Sequence, residues 1–249
     1  MKTLFVILVC TLTAAADPAT DLAARCNALQ QDGTSFIRLR IEYQQTTLQV
    51  QIKQRRTQST TEVIYQILWP KERAGEGVLL RKPANQSASG SVFVPPDTIR
   101  PLTSAQMKES LLGSSLCYAD VVENFFAWQH QAIVGNEVLD RATCVILESK
   151  PGKGDRSVYA SVRTWVDSRR LVPLRVEKYA ASGKMVRRIE TTRVVSNNGH
   201  SFPANMTVHD PQKNSTTDLD GSNIKRSVTY DDATFTAEGL KILAPPSTK

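Results

Sequence analysis

Three segments in the first third of the chain alternate apolar and polar side chains with a period of two. From Phe36 to Tyr43, Ile37, Leu39, Ile41 and Tyr43 alternate with Arg38, Arg40 and Glu42. From Thr47 to Lys53, Leu48, Val50 and Ile52 alternate with Gln49, Gln51 and Lys53. From Thr61 to Trp69, Val63, Tyr65, Ile67 and Trp69 share one face. Successive side chains of a strand point to opposite sides, so this period predicts strands with one apolar and one wet face. Such strands favour antiparallel pairing. An apolar face repeated over many strands cannot stay in water. It must pack on a second sheet, close into a barrel, or be covered by helices.

The rest of the chain extends the pattern. Strands are predicted at Gly77–Arg81 and Ser91–Pro95. Eight more follow at Gln129–Val134, Glu137–Leu139, Thr143–Glu148, Ser157–Asp167, Leu171–Ala180, Lys184–Val195, Ala204–His209 and Ile224–Thr229. Turn chemistry separates them, as in Pro151-Gly152-Lys153-Gly154, Ser182-Gly183 and Asn197-Asn198-Gly199. Strands at regular short spacing indicate a sandwich or barrel. Helix is predicted in two places. After Pro18, Leu22, Cys26 and Leu29 form one stripe, and a helical pattern spans Ser104 to Phe126, broken at Gly113. A curved sheet partly closed by so few helices leaves either an apolar cavity or a filled core, and periodicity does not choose between them. One mainly β domain is expected over residues 17–244, with a loose tail at 245–249.

The N-terminus reads as an export leader. Met1-Lys2-Thr3 precedes an apolar run from Leu4 to Leu12 and then Thr13-Ala14-Ala15-Ala16, which predicts cleavage after Ala16. The run is about half of the ~20 residues a spanning helix needs. Loss of Lys2 lowers the net charge from +7 to +6. Export argues against nucleic acid as the partner of this basic surface. Anionic headgroups, an acidic protein patch or solvent alone remain. Cys10 falls in the leader, leaving Cys26, Cys117 and Cys144. The compartment permits disulfides, and spacing does not decide connectivity. Cys117–Cys144 is the favoured pair, with Cys26 free on a helix face.

Catalytic chemistry is hard to find. His130, His200 and His209 are the only histidines, and none has a partner at metal-ligand spacing. There is no G-x-S-x-G elbow and no S-x-x-K motif. Ser114 and Ser115 follow Gly113, but no base is identifiable beside them in sequence. No catalytic residue, metal or cofactor is expected.

One stretch carries a resemblance. Gly113-Ser114-Ser115-Leu116-Cys117-Tyr118-Ala119-Asp120-Val121 resembles the G-S-D-F-S-Y-E-D-L signature of the outer-membrane lipoprotein-sorting (LolA-like) family. Its surroundings agree in order and spacing. They are Trp69-Pro70, Val92-Phe93-Val94-Pro95, Gly135, Cys144-Val145-Ile146-Leu147-Glu148, Trp165-Val166-Asp167, Pro173 to Tyr179, Ser182-Gly183-Lys184, Gly199 to Pro203 with Met206, and Phe235-Thr236 with Leu240. Gly113, Ser114, Tyr118 and Asp120 match the signature. Ser115, Cys117 and Ala119 replace Asp, Ser and Glu.

The resemblance implies a half-open antiparallel β-barrel with a helical plug, working in the periplasm as a monomeric, non-catalytic carrier of lipoprotein acyl chains or other lipid. An inner-membrane transporter and an outer-membrane acceptor would be its partners. The alternative is an accessory or sensor module of the same fold that partners a lipid-exporting transporter. Ile37, Leu39, Ile41, Leu48, Val50, Ile52, Val63, Tyr65, Ile67 and Trp69 are the expected ligand-facing residues. Residues 104–126 would form the lid, anchored through hydrogen bonds of Tyr118 and Asp120.

Overall fold

The computed structural model describes residues 17–30, 33–197 and 199–245. The expected leader at 1–16, Cys10 within it, and the tail beyond Pro245 lie outside the described residues. The chain begins with helix α1 (Pro18–Gln30), as its apolar stripe predicts, with Leu22, Ala23 and Cys26 buried. A first run of six strands follows: β1 (Gly33–Tyr43), β2 (Thr46–Arg56), β3 (Thr60–Trp69), β4 (Gly77–Pro83), β5 (Ser89–Val94) and β6 (Thr98–Leu102). After an irregular middle segment come β7 (His130–Leu139), β8 (Ala142–Lys150), β9 (Ser161–Asp167), β10 (Pro173–Tyr179), β11 (Met185–Asn197), β12 (His200–Asp210) and β13 (Ser215–Arg226).

All thirteen strands form one antiparallel sheet in the order β6-β5-β4-β3-β2-β1-β13-β12-β11-β10-β9-β8-β7. Each half is a meander, and β1 pairs with β13 to join them. The two outer strands, β6 and β7, are therefore consecutive in sequence. Among the described residues they do not pair, so the sheet curves without closing. The chain that links them, residues 103–129, must cross from one free edge to the other. Topology alone thus makes this segment the plug.

The apolar positions meet across the strands. Ile37 faces Ile52, Leu39 faces Val50, and Ile41 faces Leu48; Val50 faces Ile67, and Ile52 faces Tyr65. These side chains, with those of Met107, Leu111, Leu116 and Val122 from the middle segment, make the main core. Burial of each such side chain contributes about 1.5–3 kcal/mol relative to exposure.

Four expectations need correction. Trp69 lies on the outside and is 49% exposed. Val50 pairs with Ile67 but Gln49 pairs with Trp69, so Leu68 is an extra residue. That bulge reverses the alternation and turns Trp69 to the side of the exposed Gln49. The helical pattern of 104–126 collapses to a 3-10 turn at Ser104–Lys108, the five-residue α2 (Tyr118–Val122) and a 3-10 turn at Phe125–Ala127. Positive φ at both Leu112 (55°) and Gly113 (92°) stops any continuous helix. Strand β6 was not foreseen, because Pro101 inside it argues against a strand; it is an edge strand, where a missing N–H is tolerated. Strand β13 starts nine residues earlier than expected, since its inward positions include Thr217 and Gly221 rather than a full apolar set.

The wet face is also not wholly wet. Residues 231–243 fold back over the outer side of β2, β3 and β4. Phe235 and Leu240 bury themselves against Ile64, Leu79 and Phe93. Gln66 donates to the carbonyls of Leu240 and Ile242, Gln51 to that of Leu243, and Lys53 Nζ to that of Ile242. The polar side chains of the alternation therefore serve as hydrogen-bond donors to the backbone of the C-terminal segment, which satisfies both sides of that contact.

Candidate functional site: the cavity beneath the plug

The plug does not fill the space it covers. Two adjoining compartments of about 250 and 260 Å³ lie between it and the inner face of the sheet. Ile37, Gln54, Asp120, Phe125, Ile189, Pro203, Met206 and Ile224 line both. One compartment opens at the rim formed by Ser35, Phe202 and Arg226; the other runs inward to Leu39, Ile52, Tyr65, Leu116 and Leu219. The walls are mainly aliphatic and aromatic, as in sites that hold apolar ligands with few polar fixing groups.

The ten residues expected to face ligand divide three ways. Ile37, Leu39, Ile52 and Tyr65 line the cavity. Ile41, Leu48, Val50, Val63 and Ile67 are buried in the packed core and line neither compartment. Trp69 is outside. The remaining cavity residues come from the plug, from polar positions of β1 and β2, and from β10, β11, β12 and β13. The same period of two runs through those strands, in Ile189, Met206 and Leu219, but diluted by polar neighbours.

A buried ionic cluster pins the plug over this cavity. Lys178 on β10 and Arg187 on β11 are direct cross-strand neighbours on the inner face. Asp120 of α2 sits between them, its Oδ1 2.9 Å from Lys178 Nζ and its Oδ2 2.9 Å from Arg187 Nε. Its carboxylate also accepts the Cys117 N–H at 2.7 Å and the Tyr159 hydroxyl at 2.7 Å. Lys178 Nζ returns a bond to the Asp120 carbonyl, and Arg187 reaches on to Asp210 at 2.6 Å. Burial alone would raise the Asp120 pKa. The two cations and these hydrogen bonds outweigh it and hold the carboxyl well below the usual range.

The other signature residues shape the plug. Gly113 has φ +92°, and a Cβ there would lie 2.7 Å from the Tyr43 hydroxyl oxygen. That hydroxyl donates to the Leu112 carbonyl at 2.8 Å, tying the turn to β1. Ser114 Oγ donates to the Leu111 carbonyl and accepts from the Leu116 N–H. Ser115 donates its N–H to Thr217 Oγ1, and its hydroxyl meets that of Ser215, both on β13. Tyr118 differs from expectation. Its backbone N–H bonds the Glu109 carbonyl while its ring packs in the core, so it anchors by burial. Ala119 is fully buried among apolar side chains, where the carboxylate usual in the signature would be desolvated.

The expected Cys117–Cys144 disulfide is not formed; Cys26, Cys117 and Cys144 are all free and buried. Cys117 Sγ lies 3.2 Å from the Tyr159 hydroxyl beneath the plug. Strand β8 sends Val145 and Leu147 to the inner core, so Cys144 points the other way, against Trp165, Val172 and Leu174. The sheet stands between the two thiols. Sequence spacing carries no record of which face a cysteine takes after the bulges of a long meander.

Glu123 was not foreseen. It follows α2, is 3% exposed, and lines the inner compartment. Its Oε2 has no hydrogen-bond partner among the described residues. Burial pushes its pKa up to about 7 against the attraction of Lys82. Lys82 is itself tied to Asp155 at 2.6 Å. No group of three or more potential metal ligands occurs among the described residues.

Comparisons place this geometry among known proteins. A family model described as "Uncharacterized protein" matches residues 59–242. No curated protein matches the chain. A DUF1329 family protein from Desulfovibrio piger superposes with a TM-score of 0.80 at 22% identity, covering 90% of this chain and 100% of its own. An outer membrane lipoprotein-sorting protein domain from Vibrio parahaemolyticus gives 0.79 at 16% identity, covering 90% and 98%. A LolA superfamily protein from Nitrosomonas europaea gives 0.70 at 20% identity, covering 90% and 100%. These likenesses establish the fold: a large, curved, unclosed antiparallel sheet of the LolA type.

Proposed function

The chain belongs to the family whose model spans residues 59–242 and has the LolA-like fold, and on that premise we propose that it is a periplasmic, non-catalytic carrier of acyl chains, from lipoproteins or other lipids. The observation that carries this reading is the mainly apolar cavity between the plug and the sheet. Transfer of an acyl chain into such a space is favourable by about 0.8 kcal/mol per buried methylene. The serines of the signature are engaged in hydrogen bonds that shape the plug, which fits a binding role better than a nucleophilic one. No described helix is long and apolar enough to cross a membrane. A chain would enter and leave at the rim formed by Ser35, Phe202 and Arg226.

A second reading is an accessory module that docks on a lipid-exporting transporter. It draws on edge strand β7, where Ile133, Val134 and Val138 are exposed beside a sheet edge that has no strand partner among the described residues.

The test is lipid extraction and mass spectrometry of the protein purified from periplasm, with titration of a fluorescent fatty acid. Stoichiometric lipid and saturable probe binding are expected. A chain that carries no lipid and binds no probe would sink the carrier reading and leave the docking reading.

A further inference from the structure

The depth of the cavity is mainly apolar, with Asp120 and Glu123 in its wall, and its mouth carries a cation. Arg226 ends β13 on the inner side of the sheet, paired in register with Ser35. It lines the outer compartment with Phe202, and its guanidinium carbon lies 6.0 Å from the centre of that ring. Other arginines that line the sheet's two faces near the cavity are committed to acids. Arg187 holds Asp120 and Asp210, Arg193 holds Asp220, and Arg175 holds Glu190. Arg226 has no carboxylate partner among the described residues. Although exposed, it is enclosed enough for desolvation to hold its pKa below the usual arginine value, and no acid offsets that. A cation in that state has unused capacity for an anion.

Resting on the carrier reading, we infer that Arg226 and Phe202 form an anion subsite at the cavity mouth, so that the preferred ligand is an amphiphile with one anionic headgroup. The acyl chain lies along Ile37, Ile189, Met206 and Ile224, and the headgroup stops at the rim. Ser35 and Thr191 border the same compartment. A carboxylate or a phosphate monoester meets the chemistry equally well, since both accept the paired N–H donors of a guanidinium. A neutral ester or a triacylated amine end does not.

The experiment uses the full mature chain and three probes of one chain length: a fluorescent fatty acid, its methyl ester, and a lysophosphatidic acid as competitor. The wild type should bind the acid about tenfold more tightly than the ester, the size expected of one charge-assisted contact. The preference should shrink as salt is raised. Arg226→Gln should abolish the preference by weakening acid binding far more than ester binding, and Arg226→Lys should keep part of it. Displacement of the fatty acid by lysophosphatidic acid, and not by millimolar inorganic phosphate, would assign the site to lipid headgroups; displacement by inorganic phosphate at the same level would overturn the headgroup assignment. Equal binding of acid and ester by the wild type, or an undiminished preference in Arg226→Gln, overturns the inference. In that case ester binding that is lost in Met206→Trp still upholds the carrier reading. If the folded wild type binds neither acid nor ester, both fall together.

Discussion

Lys178 and Arg187 face each other across β10 and β11 on the enclosed side of the sheet, two buried cations in directly opposed positions. Like charges so placed repel, and neither strand offers a way out. Asp210 on β12 takes one side of Arg187, but the one carboxylate that bridges both cations, Asp120, comes from the plug. Closing the plug is therefore also what neutralises the sheet beneath it, and the cavity wall and its cover are electrostatically one unit.

Asp120→Asn leaves buried Lys178 without a carboxylate and Arg187 with Asp210 alone. Removal of one partner from a buried pair costs about 3–5 kcal/mol. Urea denaturation should show a loss of that order, with hydrogen exchange of residues 110–127 rising first. Wild-type stability would show that Asp120 is not the anchor.

Glu123 should make stability depend on pH near neutrality. Its folded pKa of about 7 exceeds the usual value of 4.5, so the native state binds the extra proton between them. Stability should fall as pH rises through that window, by about 3 kcal/mol in total. Asp120 has the opposite sign: its contribution is full above its usual value of 3.8 and fades as pH falls below it. Maximum stability is expected near the lower end of the Glu123 window. Glu123→Gln should flatten the decline above it; an unchanged slope in a melting series would contradict this assignment.

Cavity and core should respond differently to substitution. Met206→Trp places bulk in both compartments and should weaken fatty-acid binding with little loss of stability. Val50→Asp puts a charge into the packed core, 1% exposed, and should prevent folding. A folded Val50→Asp variant with weakened binding would mean that the ligand reaches deeper than the two compartments.

Gly113→Ala forces a side chain into the left-handed region and into contact with the Tyr43 hydroxyl. A destabilisation of about 1–3 kcal/mol is expected from the strain. Pairing it with Tyr43→Phe should relieve the clash but not the backbone cost, so a double-mutant cycle separates the two.

All three described thiols should stay reduced and slow to react. Burial pushes the Cys26 pKa up to about 12, and those of Cys117 and Cys144 also rise. Alkylation followed by mass spectrometry should label them only after unfolding. A Cys117–Cys144 bridge in the purified protein would require a different arrangement of β8 and the plug.

The strands were legible where alternation was strong. Ile37 to Tyr43 and Leu48 to Ile52 mark their inner faces unaided, because a strand's side-chain period is two whatever surrounds it. The signature located the plug and its Asp120. What was hidden depended on partners distant in sequence. Trp69 was misplaced by one extra residue, Leu68, whose bulge exists only against β2. Lys178 and Arg187 were not foreseen; register with Val176 and Ile189 puts them inside.

The sequence by itself determined a mainly β chain, the inward face of its first strands, and a glycine turn in the middle segment, since each follows from local backbone rules. Only the tertiary structure decided that β1 joins β13, that the free edges are consecutive strands, and that the space beneath the plug stays partly empty. The reason is that register, closure and packing density are set by residues far apart in the chain. Whether an apolar face becomes core or cavity depends on what volume arrives to cover it.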